Sequence, residues 1–543
     1  MRTSVATPAD RGARVVFCAA ALVALAFALY TNHRWEDYYI TFRSSKNLAT
    51  GHGLVFQVGE RVHTFTSPLG VLLPAGASWV TGGQSDEAAF WLFRFVSIAA
   101  FAGAVALVWK SARAWGWTTG ACVLTAALAM TDAKCVDFTV NGMETGILLF
   151  FLALAVAVLA RGPRGAVGWL GAAWAGLMWT RPDSCITIGA VAAGIWLFPS
   201  AQRVAPDRRK LLLAYLRSGL VCTGLYAPWL LWAWRYYGSF VPNTVMAKGL
   251  GHQFPSAISL LADLAGLPYR SWTYHRFGSA VFMPTYFGSG GWPAWNAVAA
   301  EVLILAVVAA CFLPRVRAEA RALSVAAIGV LFYVSNTEMY PWYFPPATFL
   351  AILTLGGLGA SGAGAWTGNR ARRLWLLPGA AVVLFSATLL VKSAEQMKWQ
   401  QAIIEGQRQE IGRWLRANRQ SPDDTVFLEP LGYIGYYSQL RMLDYPGMSS
   451  PAVLAARRKV GENWADLIEV LQPQWLVLRP SEVLGYRLKH QAWFLDHYAF
   501  AAVFDVRDRI NALRTLPGWN YLAFDETFLI YHFTPAPPDL PAG

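Results

Sequence analysis

The sequence predicts a polytopic α-helical membrane protein with about eleven transmembrane helices and a C-terminal α/β domain outside the membrane. Apolar residues make up 55% of the 543 residues and charged residues only 14%, whereas soluble proteins carry about 25% charged residues. Long apolar runs fill the chain up to residue 392, and the composition becomes mixed after Val391. This change predicts a transmembrane module over residues 1–392 and a separate domain over residues 393–543.

The apolar runs are predicted to be membrane helices, because each covers most of a hydrocarbon core, which takes about 20 helical residues. The first run, residues 15–30, is predicted to stay uncleaved, although Ala26-Phe27-Ala28 resembles a signal-peptide cleavage site. Residues 69–80 form a shorter run broken by Pro74, which is predicted to be re-entrant or interfacial. The other spans are predicted at residues 88–109, 117–131, 144–161, 166–180, 184–199, 212–234, 296–314, 322–335, 345–361 and 374–392.

Basic residues concentrate in alternate loops, and this asymmetry predicts the orientation of the chain. Arg2, Arg11 and Arg14 precede the first span, so the N-terminus is predicted to be cytoplasmic. The loops at residues 32–87 and 235–295 and the C-terminal domain then lie outside the cytoplasm. The predicted cytoplasmic loops contain Lys110, Arg113, Arg161, Arg164, Arg203, Arg208, Arg209, Lys210, Arg315, Arg317, Arg321, Arg370, Arg372 and Arg373.

Several classes of function are excluded or disfavoured by the sequence. The net charge of +13 comes largely from these loop clusters, so a lipid bilayer and not nucleic acid is the predicted partner. The pattern GxGxxG at residues 357–362 ends an apolar span and follows no strand, so it does not indicate a dinucleotide site. No cofactor is predicted: the sequence is compatible with a divalent metal but does not require one, and it has no CxxC or HxxxH pattern for zinc.

Interfacial and C-terminal elements are predicted from local patterns. The loop 235–295 is long enough for one or two helices in the membrane interface, with residues 258–267 as a candidate. Residues 397–419 have the spacing of an amphipathic helix. Strands are predicted at residues 425–428, 475–478, 498–506, 521–523 and 528–532, and a helix at residues 464–471.

The loop after the first span contains the residues best suited to chemistry. Glu36 and Asp37 are adjacent carboxylates beside a membrane, where an acidic group is costly enough to suggest a function. Such a carboxylate can act as a base on a hydroxyl group. Arg43 follows within two helical turns, and its planar guanidinium matches the geometry of phosphate. The alternative is a solvated turn next to the membrane with no chemical role.

Two further outer segments carry charges that could join this loop. Asn141 and Glu144 lie at the start of a span, where Glu144 could face a cavity or could simply stabilise a helix N-terminus. Arg181 ends a span at the same side. It could bind an anion, or it could reach towards water and pair with Asp183.

The remaining outer candidates combine polar groups with aromatic rings. Asn243 and Lys248 lie just outside a span, and Lys248 could hold a lipid-linked phosphate or touch lipid headgroups. Glu338, Tyr340 and Tyr343 lie in a short outer loop. The tyrosines suit the face of a sugar, but aromatic residues also anchor helices at the membrane surface.

These segments resemble a known group of proteins. EDYYITFRSSKNLATGHGLVFQVGERVHTFTSPLGVLL resembles the first periplasmic loop of GT-C superfamily glycosyltransferases, in particular the group of the mycobacterial terminal arabinofuranosyltransferase. The stretches NGMETG, TRPD, YYGSFVPNTVMAK, MYPWYFPP and IGYYSQLRMLDYPGMSSP are similar to parts of that pattern in the same order. The chain departs from the pattern near His63 and Gly70, where an acidic or glycine residue and a bulky residue are expected. This departure affects the expected acceptor preference more than the expected chemistry.

The resemblance implies a GT-C fold and a polyprenyl-phosphate sugar as donor, with transfer outside a bacterial cytoplasmic membrane. It makes Asp37 the first candidate for the catalytic carboxylate and Glu36 the second. It also implies that Arg43, Arg181 and Lys248 contact the donor phosphate. The residues predicted to bind substrate are His63, Ser67, Asn141, Glu144, Asn243, Glu338, Tyr340 and Tyr343.

The predicted function is transfer of a sugar, with arabinofuranose favoured, to an extracytoplasmic glycan, lipid or protein. The alternative is a transporter or flippase for a polyprenyl lipid or a polysaccharide, without transferase chemistry. Transporters place polar groups near the middle of the membrane. Here Arg94, Arg217 and Glu301 are the charges inside predicted spans, and each lies nearer an end than the centre. A scaffold protein of the cell envelope is a further alternative.

Overall fold

The computed structural model describes residues 8–162, 166–199, 207–249, 271–272, 275–285, 291–336, 340–365 and 376–534. It is mostly helical, with one small sheet near the C-terminus. The helices of the first part are α1 (Pro8–Thr31), α2 (Glu36–Ala49), α3 (Pro68–Val80), α4 (Asp86–Ala114), α5 (Thr119–Thr131), α6 (Ala133–Val140), α7 (Thr145–Arg161), α8 (Val167–Thr180), α9 (Ser184–Leu197), α10 (Arg208–Tyr237) and α11 (Asn243–Gly249). The predicted interfacial helix at residues 258–267 lies outside the described residues.

The second part continues the bundle and then forms the sheet. A π-helical turn at Gln400–Glu405 links α15 to α16. Short 3-10 turns in the described residues lie at Phe277–Val281, Pro341–Tyr343, Leu488–His490 and Ala523–Asp525. The remaining elements are β1 (Ser271–Trp272), β2 (His275–Arg276), α12 (Ala294–Ala310), α13 (Ala318–Ser335), α14 (Pro345–Ala365), α15 (Leu376–Trp399), α16 (Gly406–Asn418), β3 (Thr425–Leu428), α17 (Leu431–Ser438), β4 (Arg441–Asp444), α18 (Pro451–Val460), α19 (Trp464–Leu471), β5 (Trp475–Leu478), α20 (Pro480–Gly485), α21 (Ala492–His497), β6 (Tyr498–Asp505), α22 (Arg507–Asn511), α23 (Trp519–Leu522) and β7 (Thr527–Phe533).

Short polar side chains set the starts of several helices. Ser67, Ser85, Thr118 and Asp132 each accept a hydrogen bond from the backbone N–H three residues ahead. This satisfies one of the N–H groups that a helix leaves unpaired at its first turn. The four caps therefore fix where α3, α4, α5 and α6 begin.

Five helices in the described part of the chain are long and apolar enough to cross a membrane, and the chain is an integral membrane protein. These helices lie at Arg11–Thr31, Asp86–Ala114, Arg208–Tyr237, Ala318–Ser335 and Leu376–Asn418. Other apolar helices are shorter, for example the 13 residues of α5 and the 17 residues of α7. Pro68–Val80 forms one helix of 13 residues around Pro74. The number of eleven spans and the predicted orientation stay predictions.

The bundle core depends on small residues that let helices approach closely. In α1, Ala20, Ala24 and Ala28 recur at every fourth position and are fully buried. They lie on one face of the helix, where α1 packs against α4. Gly12 leaves room for the ring of Trp109, since an added Cβ would lie 2.4 Å from it. This packing sets the position of the end of α1, where the candidate site begins.

The sheet of the C-terminal region has the strand order β4-β3-β5-β7-β6. The strands β4, β3 and β5 run parallel, and β7 and β6 are antiparallel to their neighbours. Residues of β5 alternate between two cores: Trp475 and Val477 face α16, while Leu476 and Leu478 face α19. Both faces are therefore covered by helices, as expected for parallel strands.

The predicted C-terminal elements agree with the structure except at one segment. Residues 521–523 are not a strand, and that prediction is wrong. Gly518, with a positive φ of 81°, begins the helix Trp519–Leu522, which buries Leu522 against Ile403 and Ile404. The predicted boundary at 392/393 falls inside α15, whose helix continues to Trp399.

Candidate active site

The chain turns sharply between α1 and α2 and places two carboxylates at the N-terminus of α2. The N–H of Trp35 donates to the carbonyl oxygen of Asn141 at 2.8 Å. The Trp35 ring packs edge-on against Phe138, with centroids 5.1 Å apart. Glu36 and Asp37 are then the first residues of α2, where negative charge is favoured by the helix dipole.

Of these two carboxylates, Asp37 is the one whose oxygens make no hydrogen bond within the described structure. It is partly buried, and no hydrogen bond reaches its side chain from the residues that the structure describes. Burial raises its pKa above the usual value. The charges of Lys248 and Arg181 oppose that rise, while the charge of Glu429 adds to it. Asp37 therefore lies within the electrostatic reach of three cations, Lys248, Arg181 and Arg408, that the sequence places more than 140 residues away.

Glu36 instead joins α2 to the C-terminal region. Its Oε2 accepts from Nη1 of Arg408 at 3.0 Å, and its Oε1 accepts from the N–H of Gly432. Burial raises the pKa of Glu36 to about 8, against the opposing charge of Arg408. Of the two adjacent carboxylates, the geometry favours Asp37 for chemistry and gives Glu36 a structural contact.

Arg181 stands at the end of α8 beside two carboxylates. Its Nε and Nη2 each donate to Asp183 at 3.1 Å, and its Nη1 lies 3.7 Å from Oε1 of Glu144. The guanidinium also lies over the ring of Tyr343, 4.4 Å from its centroid. The predicted pairing with Asp183 is thus present, and the Nη1 group is the part of Arg181 that no hydrogen bond in the described structure uses.

Lys248 projects from α11 towards a group of aromatic rings. Its Nζ lies 4.3 Å from the ring centroid of Tyr340 and 5.8 Å from that of Trp342. These two rings are stacked, with centroids 4.5 Å apart and planes inclined by 5°. Glu338, a further candidate of this loop, lies outside the described residues.

The short helix that carries Lys248 is held from both sides. The N–H of Asn243 donates to the carbonyl of His63 at 2.7 Å. Its side-chain Nδ2 donates to the carbonyls of Gly447 and Met448, at 2.8 and 2.9 Å. Arg457 donates to the carbonyl of Ala247, the residue just before Lys248, at 2.8 Å. Asn243 therefore holds α11 in place, and its assignment to substrate binding stays a prediction.

Arg43 is not brought into this group. It is buried, and its guanidinium donates to the carbonyls of Gly435 and Leu440 at 2.9 and 3.1 Å. It also lies over the ring of Phe56, 4.5 Å from the centroid. All of these contacts connect α2 to neighbouring loops and to α17, so the geometry gives no support to Arg43 as a phosphate ligand.

The other predicted substrate residues are occupied by structural contacts. Ser67 caps α3 by accepting from the N–H of Gly70 at 2.8 Å. His63 stacks on Tyr237 at 4.6 Å, and burial lowers its pKa to about 4, so it stays neutral at neutral pH. The side chain of Asn141 accepts from the N–H two residues ahead at 3.2 Å. Their assignment to a substrate site stays a prediction.

Sequence reasoning missed Trp342 and Arg408. Trp342 lies between two predicted residues and completes their aromatic group, so the stretch MYPWYFPP could have identified it. Arg408 belongs to an amphipathic helix 372 residues from its partner Glu36, and no local pattern indicates that contact.

Among the described residues, no three His, Cys, Asp or Glu side chains are grouped to hold a metal, and the prediction of no cofactor stays untested.

A glycine at the turn before α7 allows this turn to pack against Tyr38 of α2. Gly142 has a φ of +97°, and an added Cβ would lie 2.5 Å from the ring of Tyr38. We expect Gly142→Ala to destabilise the protein by roughly 1–3 kcal/mol, because it adds a clash to an unfavourable backbone conformation. Thermal unfolding in detergent measures this. The control is Gly76→Ala in α3, where an added Cβ meets nothing within 4 Å, and an equal loss there would contradict the explanation.

Comparison with known proteins supports the fold and the resemblance. A family model for a domain of unknown function (DUF8728) matches residues 396–531. The terminal β-(1→2)-arabinofuranosyltransferase of Mycobacterium tuberculosis is 26% identical over 262 residues, covering 44% of this chain and 39% of that protein. The protein of the same name from Corynebacterium glutamicum is 27% identical over 281 residues, covering 47% and 39%. The aligned regions thus cover well under half of each of these relatives.

A solved structure with similar architecture covers nearly the whole chain. ArnT from Cupriavidus metallidurans in the apo state superposes with a TM-score of 0.52 and 15% identity, over 88% of this chain and 94% of that chain. Its structure bound to undecaprenyl phosphate gives a TM-score of 0.51 and 14% identity, over 97% and 99%. The chain has a GT-C fold. It is similar in sequence to terminal arabinofuranosyltransferases, as the resemblance in the sequence predicts.

Proposed function

We propose that this chain is a glycosyltransferase that moves arabinofuranose from a polyprenyl phosphate to a hydroxyl group of an extracytoplasmic glycan, lipid or protein. The observation that carries the proposal is the position of Asp37, a carboxylate without a hydrogen-bond partner among the described residues and within reach of the charges of Lys248, Arg181 and Arg408. The names of the two curated relatives favour arabinofuranose. The undecaprenyl phosphate bound by ArnT supports a polyprenyl-phosphate donor.

The proposed chemistry is a displacement at the anomeric carbon of the donor. The oxygen of the acceptor hydroxyl forms the new bond to that carbon while its proton passes to Asp37. The bond between the anomeric carbon and the phosphate oxygen breaks, and polyprenyl phosphate leaves with the electron pair. Its growing negative charge is stabilised by Lys248 and by the Nη1 group of Arg181.

The aromatic group gives the donor a surface next to these cations. Tyr340 and Trp342 present stacked rings under Lys248, and Tyr343 holds the guanidinium of Arg181. Rings of this kind shield a phosphate-binding cation from water and so strengthen its charge interactions. We propose that the site opens to the outer face of a bacterial cytoplasmic membrane, with the N-terminus of the chain in the cytoplasm.

The proposal is tested with purified protein in detergent and three radiolabelled donors: polyprenyl-phosphate arabinofuranose, mannose and glucose. Release of polyprenyl phosphate is followed with and without a synthetic arabinofuranosyl acceptor. Consumption of one donor, increased by the acceptor, is the expected result. If folded protein consumes none of the three donors, the transferase proposal is wrong and transport becomes the better explanation.

The pH dependence of activity is expected to change when Lys248 is replaced. The base form of Asp37 is required, so kcat/KM should fall as the pH falls through its raised pKa. Because Lys248 stabilises the carboxylate, Lys248→Met should raise that pKa further and move the acid limb of the profile to higher pH. It should also lower kcat by on the order of 10²- to 10³-fold through loss of phosphate stabilisation.

The control for this experiment is Lys46→Met. Lys46 lies in α2, as Asp37 does, but its Nζ pairs with Asp86 at 2.6 Å, and its charge is not among the largest that act on Asp37. The acid limb should therefore keep its position. An unchanged limb in Lys248→Met, measured from pH 4.5 to 8.5, would contradict the pairing of Asp37 with Lys248.

A further inference from the structure

The three parallel strands of the C-terminal sheet direct their carboxyl ends towards the candidate active site. The chain after β3 leads into α17, where the N–H of Gly432 donates to Glu36. The loop after β4 contains Gly447 and Met448, whose carbonyls bind the side chain of Asn243. In sheets with parallel strands, ligands bind outside the carboxyl ends of the strands. The carboxyl ends of the parallel strands, the edge of this sheet that is suited to binding, therefore meet the membrane module.

Glu429 occupies this edge directly after β3. Its side chain is 46% exposed, and its Oε2 accepts from Nη2 of Arg479 at 2.7 Å. Its Oε1 accepts no hydrogen bond from the part of the chain that the structure describes. Arg479 directly follows β5, so residues after two neighbouring parallel strands together fix the direction of this carboxylate.

Glu429 differs from the other carboxylates that bind Arg479. Glu482 and Asp525 also pair with this guanidinium, but their side chains are 14% and 5% exposed. Arg479 lies over the ring of Phe524, 4.6 Å from its centroid, and that ring is 65% exposed. The guanidinium of Arg479 thus contacts both an accessible carboxylate and an exposed apolar ring.

The charge of Glu429 also acts on Asp37. The two carboxylates come from different parts of the chain, one from the membrane module and one from the C-terminal sheet. The two side chains are therefore near enough for their charges to interact.

We propose that Glu429 binds the acceptor: its free carboxylate oxygen accepts a hydrogen bond from a hydroxyl of a polyhydroxylated glycan. This contact orients the acceptor so that a second hydroxyl faces Asp37. The inference rests on the proposed function and adds the side from which the acceptor enters. It assigns to the C-terminal sheet the recognition of the acceptor, while the membrane module binds the lipid donor.

The test is a steady-state comparison of Glu429→Gln with wild-type protein. The donor is radiolabelled polyprenyl-phosphate arabinofuranose, and the acceptor is a synthetic octyl arabinofuranosyl disaccharide. Loss of a charged hydrogen-bond acceptor should raise the KM for the disaccharide by about 10- to 100-fold. The KM for the donor and the slow release of polyprenyl phosphate to water, without acceptor, should stay within about 2-fold.

A second readout separates a contact with the acceptor from a general loss of structure. Replacing Glu429 with Gln removes a negative charge near Asp37, so the acid limb of kcat/KM should move to lower pH. Glu429→Asp keeps the charge on a shorter side chain, so it should raise the KM for the disaccharide without moving that limb. The charged groups that act on Asp37 are Lys248, Arg181, Arg408, Glu429, Glu36 and Glu144.

The matched control is Glu482→Gln. Glu482 is another carboxylate that pairs with the guanidinium of Arg479, but it lies in the first turn of α20. The KM of this control variant for the disaccharide should equal that of wild type. An equal rise in both variants, or no rise in Glu429→Gln, would show that Glu429 does not bind the acceptor. Absence of donor consumption by folded wild-type protein would overturn the proposed function itself, which is a separate result.

Discussion

Asp37→Asn is expected to lower the rate of glycosyl transfer by about 10²- to 10⁴-fold, the usual contribution of a general base. An amide has nearly the same shape as the carboxylate but cannot accept the proton of the acceptor hydroxyl. Because Asp37 makes no hydrogen bond within the described structure, the change should not disturb folding. Transfer from radiolabelled polyprenyl-phosphate arabinofuranose measures the rate, and the thermal transition of the purified variant checks the fold.

Glu36→Gln is the informative companion, because it changes the adjacent carboxylate on the same turn of helix. Its Oε2 pairs with Arg408 at 3.0 Å, so this variant should lose thermal stability while keeping much more activity than Asp37→Asn. The reverse order of activities would show that Glu36, the second candidate from the sequence, is the base. Equal losses in both variants would indicate that the two carboxylates titrate as one unit.

The sheet was largely predictable because its strands carry local signals. Residues 425–428 and 475–478 are short apolar runs with β-branched and aromatic side chains, and both are strands in the structure. The strand β4, with the sequence RMLD, was missed. It has no such composition, and its pairing with β3 across one helix is what makes it a strand. The same reasoning explains the error at residues 521–523, where burial of Leu522 in a helix decides the conformation.

The candidate site was predictable to the extent that its members stand at the ends of apolar runs. Arg181 follows a span directly and Lys248 lies in the short helix after the next long one, and the charges of both act on Asp37. The separate roles of Glu36 and Asp37 could not be predicted, because they depend on Arg408 and Gly432, more than 370 residues away. For Arg43 the residue type indicates phosphate, but two backbone carbonyls already use its donors.

Arg408→Met is expected to cause the largest loss of stability, on the order of 3–5 kcal/mol, because it leaves buried carboxylates without their partner. The Nη1 group of Arg408 binds Glu36 at 3.0 Å and Glu405 at 3.1 Å, and its Nη2 binds Asp525. The side chains of Arg408, Glu405 and Asp525 are 8%, 2% and 5% exposed. Methionine fills a similar volume, so the loss would come from charge and not from a cavity.

The pH dependence of that loss distinguishes charge from packing. Burial already raises the pKa of Glu36 to about 8, and removal of Arg408 would raise it further. A carboxyl group whose pKa is higher in the folded state binds protons on folding, so the free energy of unfolding decreases as the pH rises from about 4.3 through the folded pKa. The difference in thermal midpoint between wild type and Arg408→Met should therefore be larger at pH 8.5 than at pH 5.5. Arg413→Met, an exposed position on the same helix, should show little loss at either pH, and a pH-independent loss in Arg408→Met would mean that packing explains the effect.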